Sequence, residues 1–458
     1  MRTERDTLGE VRVPDDALYG AQTQRAVENY PISGLREHPV FIRSFILLKK
    51  AAVLANWELD ALDAGLTDSI VAACDELLDN SETYRSQFVV DVFQAGAGTS
   101  FNMNVNEVIA NLANPERGTY KPVHPNDHVN MAQSTNDVFP TAIRIATLLL
   151  LNELLPQLDA LVDAFDDRGN TFADVIKSGR THLQDAVPLT LGQEFRAYAA
   201  ATRRATRLLR APANELRDLG IGGTAVGTGM NAPRGYRHVV VRRLNELTNL
   251  DLTAAGDLRE SMQSQLPIAA VSSALRNLAI ELTRITNDLR LLASGPQTGL
   301  AEIILPAVQP GSSIMPGKVN PSMLECMNQV CFHIIGSATT IDYAVQAGQL
   351  ELNVMMPLMA FELLFSIEIL KNYLPVFITK CIAGIEADRA QCEAYYISSP
   401  SLATALNPII GYTKAAEIAK ESAKSGTPIP VLLREKKLLS EEEIERIFTP
   451  EFLAGQAD

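Results

Sequence analysis

The chain has five cysteines in 458 residues, and none stands in a C-x-x-C spacing. Cys74, Cys326, Cys331, Cys381 and Cys392 are odd in number and lie mostly in apolar surroundings, so they are expected to be reduced core thiols rather than a disulfide framework or a zinc site. Basic charge is also short: 40 Lys and Arg face 54 Asp and Glu, a formal charge of −14. That sign argues against a nucleic-acid partner, so an anionic substrate must meet locally placed cations. No apolar run is long enough for a bilayer. The most apolar, Ile145 to Leu158, is interrupted by Asn152, Glu153 and Pro156 and is expected to be a buried helix. The opening Met1-Arg2-Thr3-Glu4-Arg5-Asp6 is charged with no apolar stretch after it, so no secretory signal is read there and a cytoplasmic location is expected. Internal repeats, low-complexity tracts and strand-like alternation are scarce.

Helical periodicity fills most of the chain. Val271, Leu275, Leu278, Leu282, Ile285, Leu289 and Leu292 alternate four- and three-residue steps, the seam of a helix packed in a bundle. Similar periodicity runs through Thr141–Phe165, Gly192–Leu216, Met323–Ala347 and Pro357–Tyr373. The expected class is all-α with a central long-helix bundle. Chain length exceeds what one core usually supports, and three domains are expected: an N-terminal domain over 1–135, a central helical bundle over 136–386 and a small helical domain over 387–458. Ser440 with Glu443 reads as a capping box in that last region.

Polar, glycine-rich segments break the bundle near residues 95–107, 124–140, 179–186, 222–231 and 310–321, as functional loops on a rigid scaffold would. The densest is Gly311-Ser312-Ser313-Ile314-Met315-Pro316-Gly317-Lys318-Val319-Asn320-Pro321. Its glycines admit close approach of a ligand to the backbone and its prolines stiffen both ends, which implies a mobile but bounded lid. Removing a proton beside a carboxylate creates a dianionic aci-carboxylate, and that charge needs fixed donors such as the Lys318 ammonium and the Asn320 amide. A serine can take a proton from carbon only if backbone N–H groups or positive charge stabilise its alkoxide; Ser312 and Ser313 both qualify by position. Taken alone, the same composition also suits a plain surface turn, and spacing does not decide between the two.

Three further segments offer donors. Gly96-Ala97-Gly98-Thr99-Ser100-Phe101-Asn102 joins flexible backbone to hydroxyls and amides suited to a carboxylate, and it also suits a helix start capped by Ser100 or Asn102. Ser134-Thr135-Asn136-Asp137 precedes an apolar helix, for which simple N-capping is the bland explanation. Gly179-Arg180-Thr181-His182 carries a histidine in a polar stretch. Gly222-Gly223-Thr224-Ala225-Val226-Gly227-Thr228-Gly229 lacks both the G-x-G-x-x-G order and a preceding strand, so it is not read as a nucleotide loop.

The string GSSIMPGKVNP resembles the signature loop of the fumarase/aspartase superfamily, and the resemblance extends from about residue 4 to residue 450. It implies a three-domain fumarase/aspartase-like fold and a homotetramer whose active sites are shared by three subunits. It assigns the proton abstraction to Ser312 and stabilisation of the aci-carboxylate to Lys318 and Asn320. Thr181 and His182 would hold one carboxylate; Thr99, Ser134, Thr135 and Asn136 would hold the other end and the amino group. Glu325 would pair with His182. Gly222–Gly229 looks like a packing turn of the family. No organic cofactor is implied, because the β-carboxylate is itself the electron sink, and no metal-ligand cluster is visible; the partner is a small dicarboxylate or amino acid. Tyr19–Arg25, His124–Asp127 and Val138–Ala142 look more like class II fumarases, which interconvert malate and fumarate. Gly96–Ser100, Ser134–Asp137, Gln193–Tyr198, Asn287–Leu292, Asn328–Phe332 and Ala347–Val354 look more like aspartases, which eliminate ammonia from L-aspartate. Ala97 removes a hydroxyl that would help hold a reacting water, so deamination is the favoured expectation and fumarate hydration the alternative. Gln297, Met356 and the run Ser322–Cys326 depart from the pattern and bear on fine specificity.

Overall fold

A computed structural model describes residues 1–455 of the chain. Five long helices dominate it: Thr135–Thr171, Leu191–Glu215, Leu266–Leu292, Ser322–Gln346 and Met356–Lys380. Each covers a stretch whose apolar period reads as helix in the sequence. Every residue of the 271–292 seam named above is buried, which is what a four-three repeat of Val, Leu and Ile accomplishes when neighbouring helices fill the grooves between its turns. The Ile145–Leu158 run is buried in a helix as expected, but the expectation that it is too short for a bilayer is corrected. It lies inside the first of these helices, the one helix among the described residues long and apolar enough by length and composition to cross a membrane, because helical periodicity carries on past both ends of the run; its apolar window is mostly buried. The sequence boundary near 136 falls at the start of that helix, and the one near 387 falls in the two-residue strand Glu386–Ala387.

The chain folds into two compact units. The first gathers Met1–Leu155, Arg207–Asn277 and Phe332–Leu370; the second gathers Pro156–Thr206, Leu278–Cys331 and Lys371–Asp458. In the first unit, Phe41, Phe45, Phe101 and Phe139 form a fully buried aromatic cluster with ring centroids 5.0 to 5.6 Å apart, mostly edge to face, the arrangement that ring quadrupoles favour. Phe101 and Phe139 follow closely on Thr99 and Thr135, so this cluster fixes the starts of two helices that carry candidate site residues. Gly98 takes a left-handed φ of 83°, and a Cβ there would fall 2.0 Å from the Phe139 ring; glycine alone fits.

The second unit holds the largest strand pair, an antiparallel hairpin of Ile176–Thr181 with Gln184–Thr190. Its C-terminal part packs Leu402, Leu406, Ile418, Ile429, Leu433, Ile444 and Ile447 into one apolar cluster with Ile176. The Ser440–Glu443 capping box is formed as expected.

Candidate active site

Ser312 is half-buried in the loop that follows strand Ile303–Ile304. The loop is closed by Gly311 N donating to Lys318 O at 2.8 Å and Lys318 N to Met315 O at 3.3 Å. Inside that closure the Ser312 Oγ accepts from the backbone N–H of Ile314 at 3.2 Å and of Met315 at 3.0 Å. Two fixed donors on one hydroxyl oxygen are what an alkoxide needs. Asn320 donates one amide proton to Gly311 O at 2.6 Å, so it holds the loop shut at its base. Lys318 is exposed, as are Ile314, Met315 and Val319.

Thr181 and His182 belong to the same unit. Thr181 pairs with Gln184 at the end of the hairpin, and His182 and Leu183 form its two-residue turn with φ of 55° and 60°. Both angles are left-handed, as the turn type that matches strand twist requires, and they push the imidazole out into the open. Glu325 sits in the first turn of the Ser322–Gln346 helix and faces Arg290 at 3.9 Å. Among the described residues no hydrogen bond or ion pair joins His182 to Glu325. Within one chain, then, the pair implied by the family is not made: the histidine is on an exposed turn and the carboxylate faces a different cation.

The hairpin itself is anchored by buried charge. Glu302 is fully buried and receives Arg180 Nη1 at 2.9 Å and Lys177 Nζ at 3.0 Å; Lys177 also reaches Glu194 at 2.8 Å. Burial alone would lower the Lys177 pKa, but Glu194 and Glu302 outweigh it and hold the ammonium above its ordinary value. A cavity of about 380 Å³ runs beside this network, lined by Thr181, by Glu194 and Asp288, and by Lys177 and Arg180, whose charges Glu194 and Glu302 already engage.

The other candidates lie in the first unit. Thr99 is exposed at the start of the Thr99–Ala113 helix, whose N-cap is Gly98. The expected cap from Ser100 or Asn102 is therefore not formed: Asn102 points inward, donating to Thr135 Oγ1 at 3.1 Å and accepting from Lys49 Nζ at 2.8 Å. Lys49 also donates to Asn130 at 2.9 Å and Gln133 at 3.0 Å. Its ammonium is fully buried and burial pulls it down to about 7, with Asp137 acting against that shift. Ser134 behaves as an N-cap, its Oγ accepting from Asn136 N at 3.2 Å, and Asn136 Nδ2 donates to Ala225 O at 2.8 Å. Thr99, Thr135, Asn136 and Ser134 thus come from two helix starts cross-linked through Asn102 and Lys49. The sequence reading missed Lys49, Asp137 and Glu302. The first had a signal: a lysine pair inside the apolar run Phe45–Trp57, where a charge must either leave the face or find partners.

Comparison with known proteins adds a common relationship. Residues 9–336 match the family model described as Lyase, and residues 402–455 match one described as Fumarase C C-terminus. The aspartate ammonia-lyase of Helicobacter pylori is 48% identical over 98% of this chain and 97% of its own length; that of Escherichia coli is 44% identical over 100% and 97%. Among solved structures, a cobalt-bound fumarate lyase:delta crystallin from Brucella melitensis is 47% identical with a TM-score of 0.95, covering 99% of each chain. A class II fumarase from Schistosoma mansoni is 34% identical with a TM-score of 0.94, covering 100% of each.

Proposed function

The chain belongs to this family of lyases, the fumarase/aspartase superfamily, and from that premise we propose the following reaction. The protein is a carbon–nitrogen lyase that eliminates ammonia from L-aspartate, reversibly, to give fumarate. The observation that carries the mechanism is the Ser312 oxygen held under two backbone N–H groups.

The Ser312 alkoxide takes the Cβ proton. The bonding pair moves into the β-carboxylate, and the resulting aci-carboxylate is stabilised by the Lys318 ammonium and the free amide proton of Asn320. Its collapse restores the carboxylate, forms the carbon–carbon double bond and expels the α-ammonium as neutral ammonia. The serine then returns its proton to solvent. Thr181 and His182 orient one carboxylate; Thr99, Ser134, Thr135 and Asn136 hold the other end and the amino group. A leaving group that starts protonated needs little acid help, which fits Ala97 standing where a hydroxyl would hold water.

We propose further that the enzyme is a cytoplasmic homotetramer whose sites are each completed by three subunits, with Glu325 of one chain meeting His182 of another. Support comes from the outward-facing Phe332, Tyr343 and Phe365 on long helices and from the exposed Ile314, Met315 and Val319 of the serine loop, apolar surface that a lone chain would not leave wet. Contiguous domains over 1–135, 136–386 and 387–458 remain the proposed organisation.

Fumarate absorbance near 240 nm, followed after adding L-aspartate and separately L-malate, tests the reaction. Signal with aspartate is expected; signal with malate alone would make the protein a fumarase, and silence with both would leave a structural relative.

A further inference from the structure

Asp137 is completely buried in the first turn of the Thr135–Thr171 helix. One carboxylate oxygen, Oδ1, accepts from Ser134 N at 2.9 Å. The other, Oδ2, accepts from Gly222 N at 3.0 Å and from Thr224 N at 2.9 Å. The first bond is the returning half of a helix cap, a side chain three residues on accepting from the cap residue's own N–H, and would be made by many helix starts. The second oxygen does something a cap does not require: it pins a turn far away in sequence. Asn136 repeats the link from its own side chain by donating to Ala225 O. The segment expected to grip the substrate is therefore tied to the glycine-rich turn at two consecutive residues.

We propose that Asp137 is a positioning residue for substrate, clamping Ser134-Thr135-Asn136 to the Gly222–Thr224 turn so that the hydroxyls and amide meet the bound diacid in one fixed geometry. The proposal rests on the elimination reading above. A buried carboxylate is costly unless its oxygens are filled. Here three backbone N–H groups and the positive end of a long helix fill them, while the Thr224 Oγ1 and Tyr236 Oη are buried without partners. The three donors to Asp137 are thus all main-chain N–H groups, so their positions are set by the backbone and not by another side chain. Gly222 fits its role: φ is 91°, and a Cβ there would come within 2.8 Å of Arg237 Cβ.

The clamp also titrates. Burial pushes the Asp137 carboxyl up to about 7, against its three N–H donors and the charge of Lys49 from the Pro39–Glu58 helix; Tyr236 from the Tyr236–Thr248 helix is the other ionisable group that feels it. Protonation puts an O–H where acceptors are needed, so the clamp loosens as pH falls below 7.

The test is steady-state kinetics with L-aspartate between pH 6 and 9, alongside calorimetric binding of succinate, for the unaltered enzyme, Asp137→Asn and Gly222→Ala. Expected at pH 8 is a rise in KM of roughly tenfold or more for both variants with kcat within about threefold, and a parallel loss of succinate affinity. In the unaltered enzyme KM should climb below pH 7, and that limb should vanish in Asp137→Asn. Unchanged KM and succinate affinity in Gly222→Ala would overturn the clamp even if Asp137→Asn does not fold, as would an acid limb that survives in Asp137→Asn. Weakened succinate binding in both variants of a protein inactive on L-aspartate would instead retain the clamp and reject the reaction.

Discussion

Arg180 holds both carboxylate oxygens of Glu302 from a single guanidinium nitrogen, 2.9 Å to each. Arg180 immediately precedes Thr181 and His182 on the hairpin, and Glu302 immediately precedes the strand that leads toward Ser312. One buried ion pair therefore fixes the approach to two sets of candidate site residues within the second unit. Lys177 completes it from the same strand as Arg180.

Removing Glu302 leaves Lys177 and Arg180 with an uncompensated share of buried charge. Glu302→Ala is expected to cost about 3–5 kcal/mol of stability, the usual penalty for breaking a buried pair from one side. Glu302→Gln keeps the shape and should cost less. Urea denaturation followed by circular dichroism measures both; equal, negligible losses would mean that the network carries no stability.

Ser312→Ala should leave the helical content unchanged while lowering kcat for L-aspartate by roughly two to four orders of magnitude, the range for losing a base in proton transfer. The side chain is half-buried and fills no core, so instability is no explanation for the loss. Turnover that survives would transfer the base to another residue, Ser313 first.

Much of this architecture is readable from residue order alone. The 271–292 seam and the Ser440–Glu443 box are local patterns, fixed by neighbours three and four positions apart, and both are formed in the structure. The signature loop is local too, and its closure by Gly311 and Lys318 needs only residues within it. The hairpin over 176–190 escapes such reading because its turn uses His182 and Leu183, not the Asn-Gly or Gly-Gly pairs that announce a two-residue turn. Asp137 with Gly222 and Lys49 with Gln133 join segments remote in sequence; no periodicity encodes such a contact, and only the folded chain brings them together. Gly222–Gly229 reads as a packing turn until its bonds to Asp137 are seen.

Phe332→Asp is expected to split the proposed tetramer. Phe332 and Tyr343 lie 56% and 67% exposed on the Ser322–Gln346 helix, and their separation brings them close to one face after three turns. A carboxylate in such an interface pays a desolvation cost of several kcal/mol per subunit. Light scattering coupled to gel filtration should show smaller species, with activity lost in the same fractions. A variant that elutes as the unaltered protein does, with full turnover, would place the interface elsewhere.

Glu37 supplies a stability prediction whose sign is fixed by pH. It is fully buried, beside Asp91, and accepts from Gln94 Nε2 at 3.0 Å. Burial first, and repulsion by Asp91 second, push its carboxyl from 4.5 up to about 8. A group whose folded pKa is raised binds more protons in the folded state, so folding takes up a proton between those two values and stability falls as pH climbs through that window. Glu37→Gln fills the same space, keeps an oxygen for Gln94 and has no charge to lose. The variant should therefore match the unaltered protein near pH 4.5 and gain on it steadily until about pH 8. The gap should then stay level at a few kcal/mol, on the order of 3–5 from the size of the shift. Denaturation midpoints measured at pH 5 and pH 8.5 decide the matter: a difference of the same size at both values would mean that Glu37 is ionised throughout, its cost met by partners other than Gln94.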